Sequence, residues 1–182
     1  DTDLYEMAKV PTRPTSISCA PDGKNFAVTA LDKNVRVFRF ATGKLRRKYN
    51  ETLEVFEDAK EDGSLQLEPM DFGRRMAVER ELDAFEGAPA SNVIFDESGN
   101  FILFPTLLGV KVLNIVTNKL VRVLGRVENT ERFLSISMFQ GVPKKNSQIQ
   151  RLGGSKKPKL MSDNPAAKEE DVPDPTLICC AF

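Results

Sequence analysis

"PTSISCAPDGKNFAVTALDKNVRVFRFATGKL", residues 14–45, and "ASNVIFDESGNFILFPTLLGVKVLNIVTNKL", residues 90–120, are two copies of one pattern with one residue of slack. Gly23 falls on Gly99, Val35 on Val110, Val37 on Val112, Thr42 on Thr117, and Lys44 and Leu45 on Lys119 and Leu120. Each copy breaks into short runs of β-branched and aromatic residues, which is how strands read. In the first copy the runs are 17–19, 26–29, 35–40 and 45–49. Between the first two runs, Pro21-Asp22-Gly23 or Glu97-Ser98-Gly99 supplies a tight turn, in which glycine takes backbone angles that other residues resist. The pattern predicts four strands in about 35 residues, twice.

A four-stranded antiparallel unit cannot bury both of its faces alone, so a recurring one predicts stacked blades of a β-propeller. An ordinary β-sandwich leaves the matched turn and matched third strand as accidents. The turn "PDGK" with Ser16 and Cys19 ahead of it, and the turn 31–34 leading into "VRVFRFATGK", resemble WD repeats. The Gly-His and Trp-Asp dipeptides of such repeats are absent, because the chain has neither histidine nor tryptophan. Asp32 occupies the turn position that a WD repeat ties down through a His-Ser/Thr-Trp network, without those partners. The expected fold class is all-β, a WD-type β-propeller fragment of about two and a half blades with a short helical insertion. Its expected parts are an outer strand of a preceding blade (1–10), a WD-like blade (11–49), a helical insertion (50–89), a second WD-like blade (90–124) and the start of a third (125–182). The third blade takes its strands from 132–141 and 174–182, around a flexible charged loop at 142–175. Asp at position 1 and the apolar close "DPTLICCAF" lead to the expectation of a piece of something longer.

The connection between the copies is about forty residues, far longer than an ordinary loop. In "NETLEVFEDAKEDG", residues 50–63, Asn50 reads as an N-cap, Leu53, Phe56 and Ala59 keep helical spacing, and Gly63 stops the helix. "DFGRRMAVERELDAF", residues 71–85, opens on the tripeptide that holds metal in protein kinases. Phosphoryl transfer by that route also needs a glycine-rich loop, a strand lysine paired with a helix glutamate and a His-Arg-Asp loop, and the chain has no histidine and no Gly-x-Gly-x-x-Gly. As a helix, the stretch brings Phe72, Met76, Leu82 and Phe85 to one side and sets Arg75 and Glu79 one turn apart on another. Phe72, Met76 and Leu82 are expected to dock on the propeller, leaving Arg74, Arg75 and Arg80 available to a protein partner.

Taken with the blades and with "FQGVPKK" at 139–145, this insertion resembles the family of peptidylprolyl isomerase domain and WD repeat-containing proteins, nuclear cyclophilins associated with spliceosomes. The resemblance spans nearly the whole chain. It implies a WD propeller joined to a C-terminal cyclophilin domain that interconverts cis and trans X-Pro bonds, across an uncatalysed barrier of about 18–20 kcal/mol. It implies a scaffold docked on spliceosomal proteins in the nucleus. The cyclophilin motif itself is not in this sequence, so no catalytic residue is carried over and whether the segment is an enzyme stays open. The alternative is a stand-alone propeller enzyme such as a hydrolase, against which the missing histidines count.

The 26 basic and 26 acidic residues cancel, so no overall field draws nucleic acid, membrane or acidic substrates. Charge is segregated locally. Lys144, Lys145, Lys156, Lys157 and Lys159 have the spacing of a two-cluster nuclear localisation signal and could neutralise RNA phosphates, although no aromatic residue interleaves them. The three cysteines, Cys19, Cys179 and Cys180, suit a reducing compartment and are expected to be small buried apolar residues. They do not supply a zinc site, and no cofactor or metal is expected. No hydrophobic run reaches the roughly 20 residues of a membrane span.

Overall fold

The computed structural model describes residues 2–85, 87, 90–128, 130–141 and 175–182. The chain divides into two compact units, residues 1–137 with 178–182, and residues 138–177. In the first unit, strands β1 (Pro14–Cys19), β2 (Asn25–Ala30), β3 (Asn34–Arg39) and β4 (Lys44–Asn50) form one antiparallel sheet in that order. Strands β5 (Ile94–Phe95), β6 (Phe101–Thr106), β7 (Gly109–Asn114) and β8 (Lys119–Leu124) repeat the arrangement. Strands β9 (Phe133–Phe139) and β10 (Thr176–Ala181) make a two-stranded sheet. Among the described residues these sheets do not close into a ring, which takes about four blades or more.

The internal repeat extends to fine geometry. Gly23 and Gly99 both carry the left-handed backbone that their turn requires, at φ 67° and 69°. Each sheet has a register break at the same place in its third strand, between Val37 and Phe38 in one and between Val112 and Leu113 in the other. A bulge there increases the local twist of β3 against β4 and of β7 against β8.

Alternation along the strands then decides what each sheet buries. Ala27, Val35 and Val37 turn one face of the first sheet into a common core with Val93, Ile102, Phe104 and Leu113 of the second. Tyr49 of β4 stacks on Phe104 with ring centroids 6.3 Å apart, and its hydroxyl hydrogen-bonds Asn118. On the opposite face, Phe38 is fully buried and stacks on Phe26 at 5.1 Å. Beside it Arg36, also fully buried, forks onto the Asp32 carboxylate at 3.0 and 2.5 Å. Asp32 thus ties its own sheet through an arginine two residues beyond the turn, where a WD repeat uses histidine, serine or threonine, and tryptophan. Burial pushes the Asp32 carboxyl up, but the Arg36 and Asn34 hydrogen bonds outweigh it and hold the group below the ordinary aspartate range.

Between the sheets, α2 (Leu53–Glu61) and α3 (Pro69–Ala84) form the insertion. The N-cap of α2 is Thr52 rather than Asn50: Asn50 ends β4, and its side-chain oxygen accepts the Thr52 backbone N–H at 3.0 Å. Phe56 and Met76 pack with Leu107 and Leu108, at the β6–β7 turn, into a second core.

Two expectations are corrected. Where an outer strand is expected over 1–10, the described residues hold one helical turn, α1 (Glu6–Lys9). The segment before it grips the β3–β4 turn instead of pairing along an edge: Asp3 donates its backbone N–H to the Gly43 carbonyl and accepts the Leu45 N–H through its carboxylate. The cysteines are not buried either. Cys19 and Cys180 are exposed and Cys179 is half-buried. Cys19 shares the uncovered side of edge strand β1 with Ile17, which is exposed as well.

Candidate functional site

A cavity of about 360 Å³ opens beneath α3. The β2–β3 turn of the first sheet, the end of β6 in the second and the start of β9 enclose it, contributing among others Lys33, Thr106 and Leu134. The turn holds Lys33 in the left-handed region at φ 54°, which swings its side chain under the helix. Lys33 Nζ lies 3.0 Å from Glu79 and 2.7 Å from Asp83, both on α3. From the other side Arg132, next to β9, places Nε 2.6 Å and Nη2 3.3 Å from the two oxygens of Glu79. One carboxylate therefore joins the first sheet, the insertion and the strand that begins the third sheet.

The energetics of this triad favour the ionised state. Burial pushes the Glu79 carboxyl up, but the Arg132 hydrogen bond and charge, helped by Lys33, outweigh it, so the group titrates below the ordinary glutamate range. Glu51, also on the cavity wall, shows the opposite balance. Its burial outweighs the Lys111 ammonium 2.7 Å from each oxygen, and the carboxyl is pushed up. Lys111 also lies 5.1 Å from the ring centroid of Phe56, a cation–π contact that anchors α2.

The helix presents its charges differently from the expectation. Arg75 is buried, not available to a partner: its guanidinium donates to Asp71 at 3.0 Å, to the Leu107 carbonyl at 3.1 Å and to the Arg126 carbonyl at 2.7 Å. The reason is that the β6–β7 turn and the end of β8 leave carbonyls without strand partners, and a five-donor fork satisfies several at once. Glu79, expected on the same outward side, is buried with it. Arg74 is exposed, and Arg80 is exposed and paired with Glu57 at 3.0 Å. Met76 and Leu82 are buried and Phe72 is half-buried, as expected of the apolar side; Phe85 is 60% exposed, because the helix ends at Ala84 and its backbone turns extended. Lys144, Lys145, Lys156, Lys157 and Lys159 lie outside the described residues.

Lys33, Glu51 and Arg132 were not singled out in the sequence. Arg75 and Glu79, spaced four apart on a helix, were a visible pair, but nothing local signals their distant partners. Chemically the site is a shaped cavity with paired charges. Among the described residues no group of three metal-ligating side chains comes together, and no helix is long and apolar enough to cross a membrane.

No family model matches the chain. Over its whole length it is 46% identical to a segment of Peptidyl-prolyl cis-trans isomerase CYP71 of Arabidopsis thaliana, of which it covers 28%. It is 44% identical to a segment of the human Peptidylprolyl isomerase domain and WD repeat-containing protein 1, covering 27%, and 30% identical to a segment of Peptidyl-prolyl cis-trans isomerase 9 of Schizosaccharomyces pombe, covering 30%. The chain thus spans under a third of the length of these relatives.

Proposed function

We propose, from a chain homologous along its whole length to one segment of the WD-repeat cyclophilins, that it is the propeller scaffold of a nuclear peptidylprolyl isomerase acting in pre-mRNA splicing. The observation that carries this reading is the pair of four-stranded sheets alike in order, turn and bulge, within a stretch 44% identical to a relative named for its WD repeats. In this reading the sheets are blades, the rest of the propeller is supplied by chain beyond this sequence, and the isomerase site lies in another domain. The segment's own work is protein docking. Arg74 and Arg80 on the outer side of α3 are the residues offered to spliceosomal proteins, Lys144, Lys145, Lys156, Lys157 and Lys159 serve nuclear import, and RNA contact through the same lysines is a secondary role.

The test is affinity recovery from nuclear extract with the full-length polypeptide and its Arg74→Glu, Arg80→Glu double variant. Arg74 is exposed and the Arg80–Glu57 pair that the variant breaks is exposed too, so the variant should fold with a loss of no more than about 1 kcal/mol. Splicing proteins should be enriched by the parent and depleted with the variant. Their absence from the parent eluate would sink the docking role.

A further inference from the structure

The buried arginines of the fold are each answered by a carboxylate: Arg36 by Asp32, Arg75 by Asp71 and Arg132 by Glu79. Arg46 and Arg47 of β4 are half-buried, and among the described residues neither has a carboxylate within ion-pair distance. The register of the first sheet sets these neighbours side by side. Successive strand residues normally point to opposite faces, but the bulge pairs Leu45 with Phe38 and Arg47 with Val37, leaving Arg46 as the extra residue. Arg47 shares the face of Val37, which packs on the second sheet. Arg46 reaches that face too, where its Nη1 donates to Asn25 Oδ1 at 3.3 Å, two positions along β2 from the core residue Ala27.

Each guanidinium has five N–H donors and spends one, on a neutral oxygen: Arg46 on Asn25, and Arg47 on the Arg46 carbonyl at 3.3 Å. Arg47 Nε is buried without a partner, whereas Nη2 of both residues is unpartnered and open to solvent. Burial pushes the Tyr49 hydroxyl pKa up, and the charges of Arg47 and Arg46 act against it. That hydroxyl bonds Asn118 of the β7–β8 turn, so both charges lie at the seam between the two sheets. The second sheet has the same bulge, but Val121 and Arg122 stand in the places of Arg46 and Arg47, and this lone arginine is exposed.

Two like charges held together repel, and a ligand with two negative charges relieves both. A phosphate monoester carries about −1.5 to −2 at neutral pH and three acceptor oxygens, enough to bond both guanidiniums. A carboxylate or a phosphodiester brings a single charge. A nucleic-acid backbone would also need a track of free cations, but Lys44 and Lys48 of the same strand are tied to Asp3 and Glu6. The Tyr49 ring stacks on Phe104 rather than standing free for a base. We propose that the seam beside Arg46 and Arg47 binds a phosphate monoester, carried on a phosphorylated side chain or as a small free phosphate. The site stands apart from α3 and its arginines, so its failure would leave the scaffold reading standing.

The experiment titrates the full-length polypeptide with labelled pentapeptides Gly-Gly-X-Gly-Gly, where X is phosphoserine, aspartate or serine, with inorganic phosphate as competitor and decauridine as the phosphodiester. The phosphoserine peptide should bind at least about tenfold more tightly than the other two. The Arg46→Gln, Arg47→Gln double variant should lose that preference, and Arg122→Gln should keep it. Should the double variant lose its cooperative melt, Arg46→Gln alone gives up one neutral hydrogen bond and should still weaken the phosphopeptide by about threefold or more. Equal binding of phosphoserine and aspartate peptides, no binding of either, or a preference indifferent to the Arg46 and Arg47 substitutions would overturn the proposal. Decauridine binding more tightly than the phosphopeptide, and losing it in the same variant, would overturn it in favour of nucleic acid. β4 is the last strand of its sheet, with backbone groups beside the arginines for residues flanking a phosphorylated one. A phosphopeptide tighter than inorganic phosphate therefore assigns the site to a polypeptide, and the reverse order assigns it to a free phosphate.

Discussion

Arg74 and Arg75 are neighbours in sequence with opposite burial, and alanine at each should give opposite results. Arg75→Ala removes three charge-assisted hydrogen bonds, to Asp71, Leu107 O and Arg126 O, the second of them buried. Removing one partner of a buried pair costs about 3–5 kcal/mol. Asp71 tempers this, because it sits in the first turn of α3 where the helix dipole favours a carboxylate, and a solvated Arg126 carbonyl can bind water. The expected loss is therefore near the lower end, about 3 kcal/mol. Arg75→Lys keeps the charge but offers its donors from a single point, so about half of that loss should remain. Arg74→Ala, on the exposed side, should stay within about 0.5 kcal/mol. Urea denaturation gives the stabilities, and amide exchange at the β6–β7 turn localises them. If Arg75→Ala matched the parent, or Arg74→Ala cost as much, the guanidinium would not be the fastener described here.

Gly109 has φ 124°, and a Cβ built on it would sit 2.3 Å from the Leu124 carbonyl oxygen, so Gly109→Ala should cost at least about 2 kcal/mol in urea melts. Gly23→Ala, strained but in open space, should cost about 1 kcal/mol, and equal losses would refute the steric argument. Because Glu79 titrates below the ordinary glutamate range in the fold, its stabilisation is complete above that range and is lost as pH falls through the depressed value. Glu79→Gln should therefore be less stable than the parent at neutral pH and lose less on acidification, the two converging in urea midpoints as pH falls through the depressed value; a parallel pH profile would exclude Glu79 as the acid-sensitive group.

How much of this was legible depends on whether the signal is local. The strands and turns were, because β-branched runs, Gly23 and Gly99 act within a few residues. Helix α3 was legible as a helix with Met76 and Leu82 inward. The burial of Arg75 and Glu79 was not. Polarity places a charged residue outside by default, and the groups that reverse this lie 32 to 53 positions away, at Leu107 O, Arg126 O and Arg132. Asp32 misled for a similar reason: the absence of the usual turn partners hid Arg36, an arginine on an apolar strand whose four-residue spacing to Asp32 is the one clue the sequence contained. At 2–10, short apolar stretches fit a strand as well as a turn of helix, and only the grip of Asp3 on Gly43 and Leu45 decides.

The meeting of Lys33, Glu79 and Arg132 at one carboxylate bears on how the sequence can drift. Neutralising Glu79 alone strands the buried Arg132, while Lys33 keeps Asp83, whereas losing one cation leaves the other to hold the carboxylate. The three positions should therefore show strong epistasis, with damage from the first substitution depending on which comes first. The tolerable order begins at Lys33, the more exposed cation, and reaches Glu79 last, so a lineage that changes this junction has a preferred path through it.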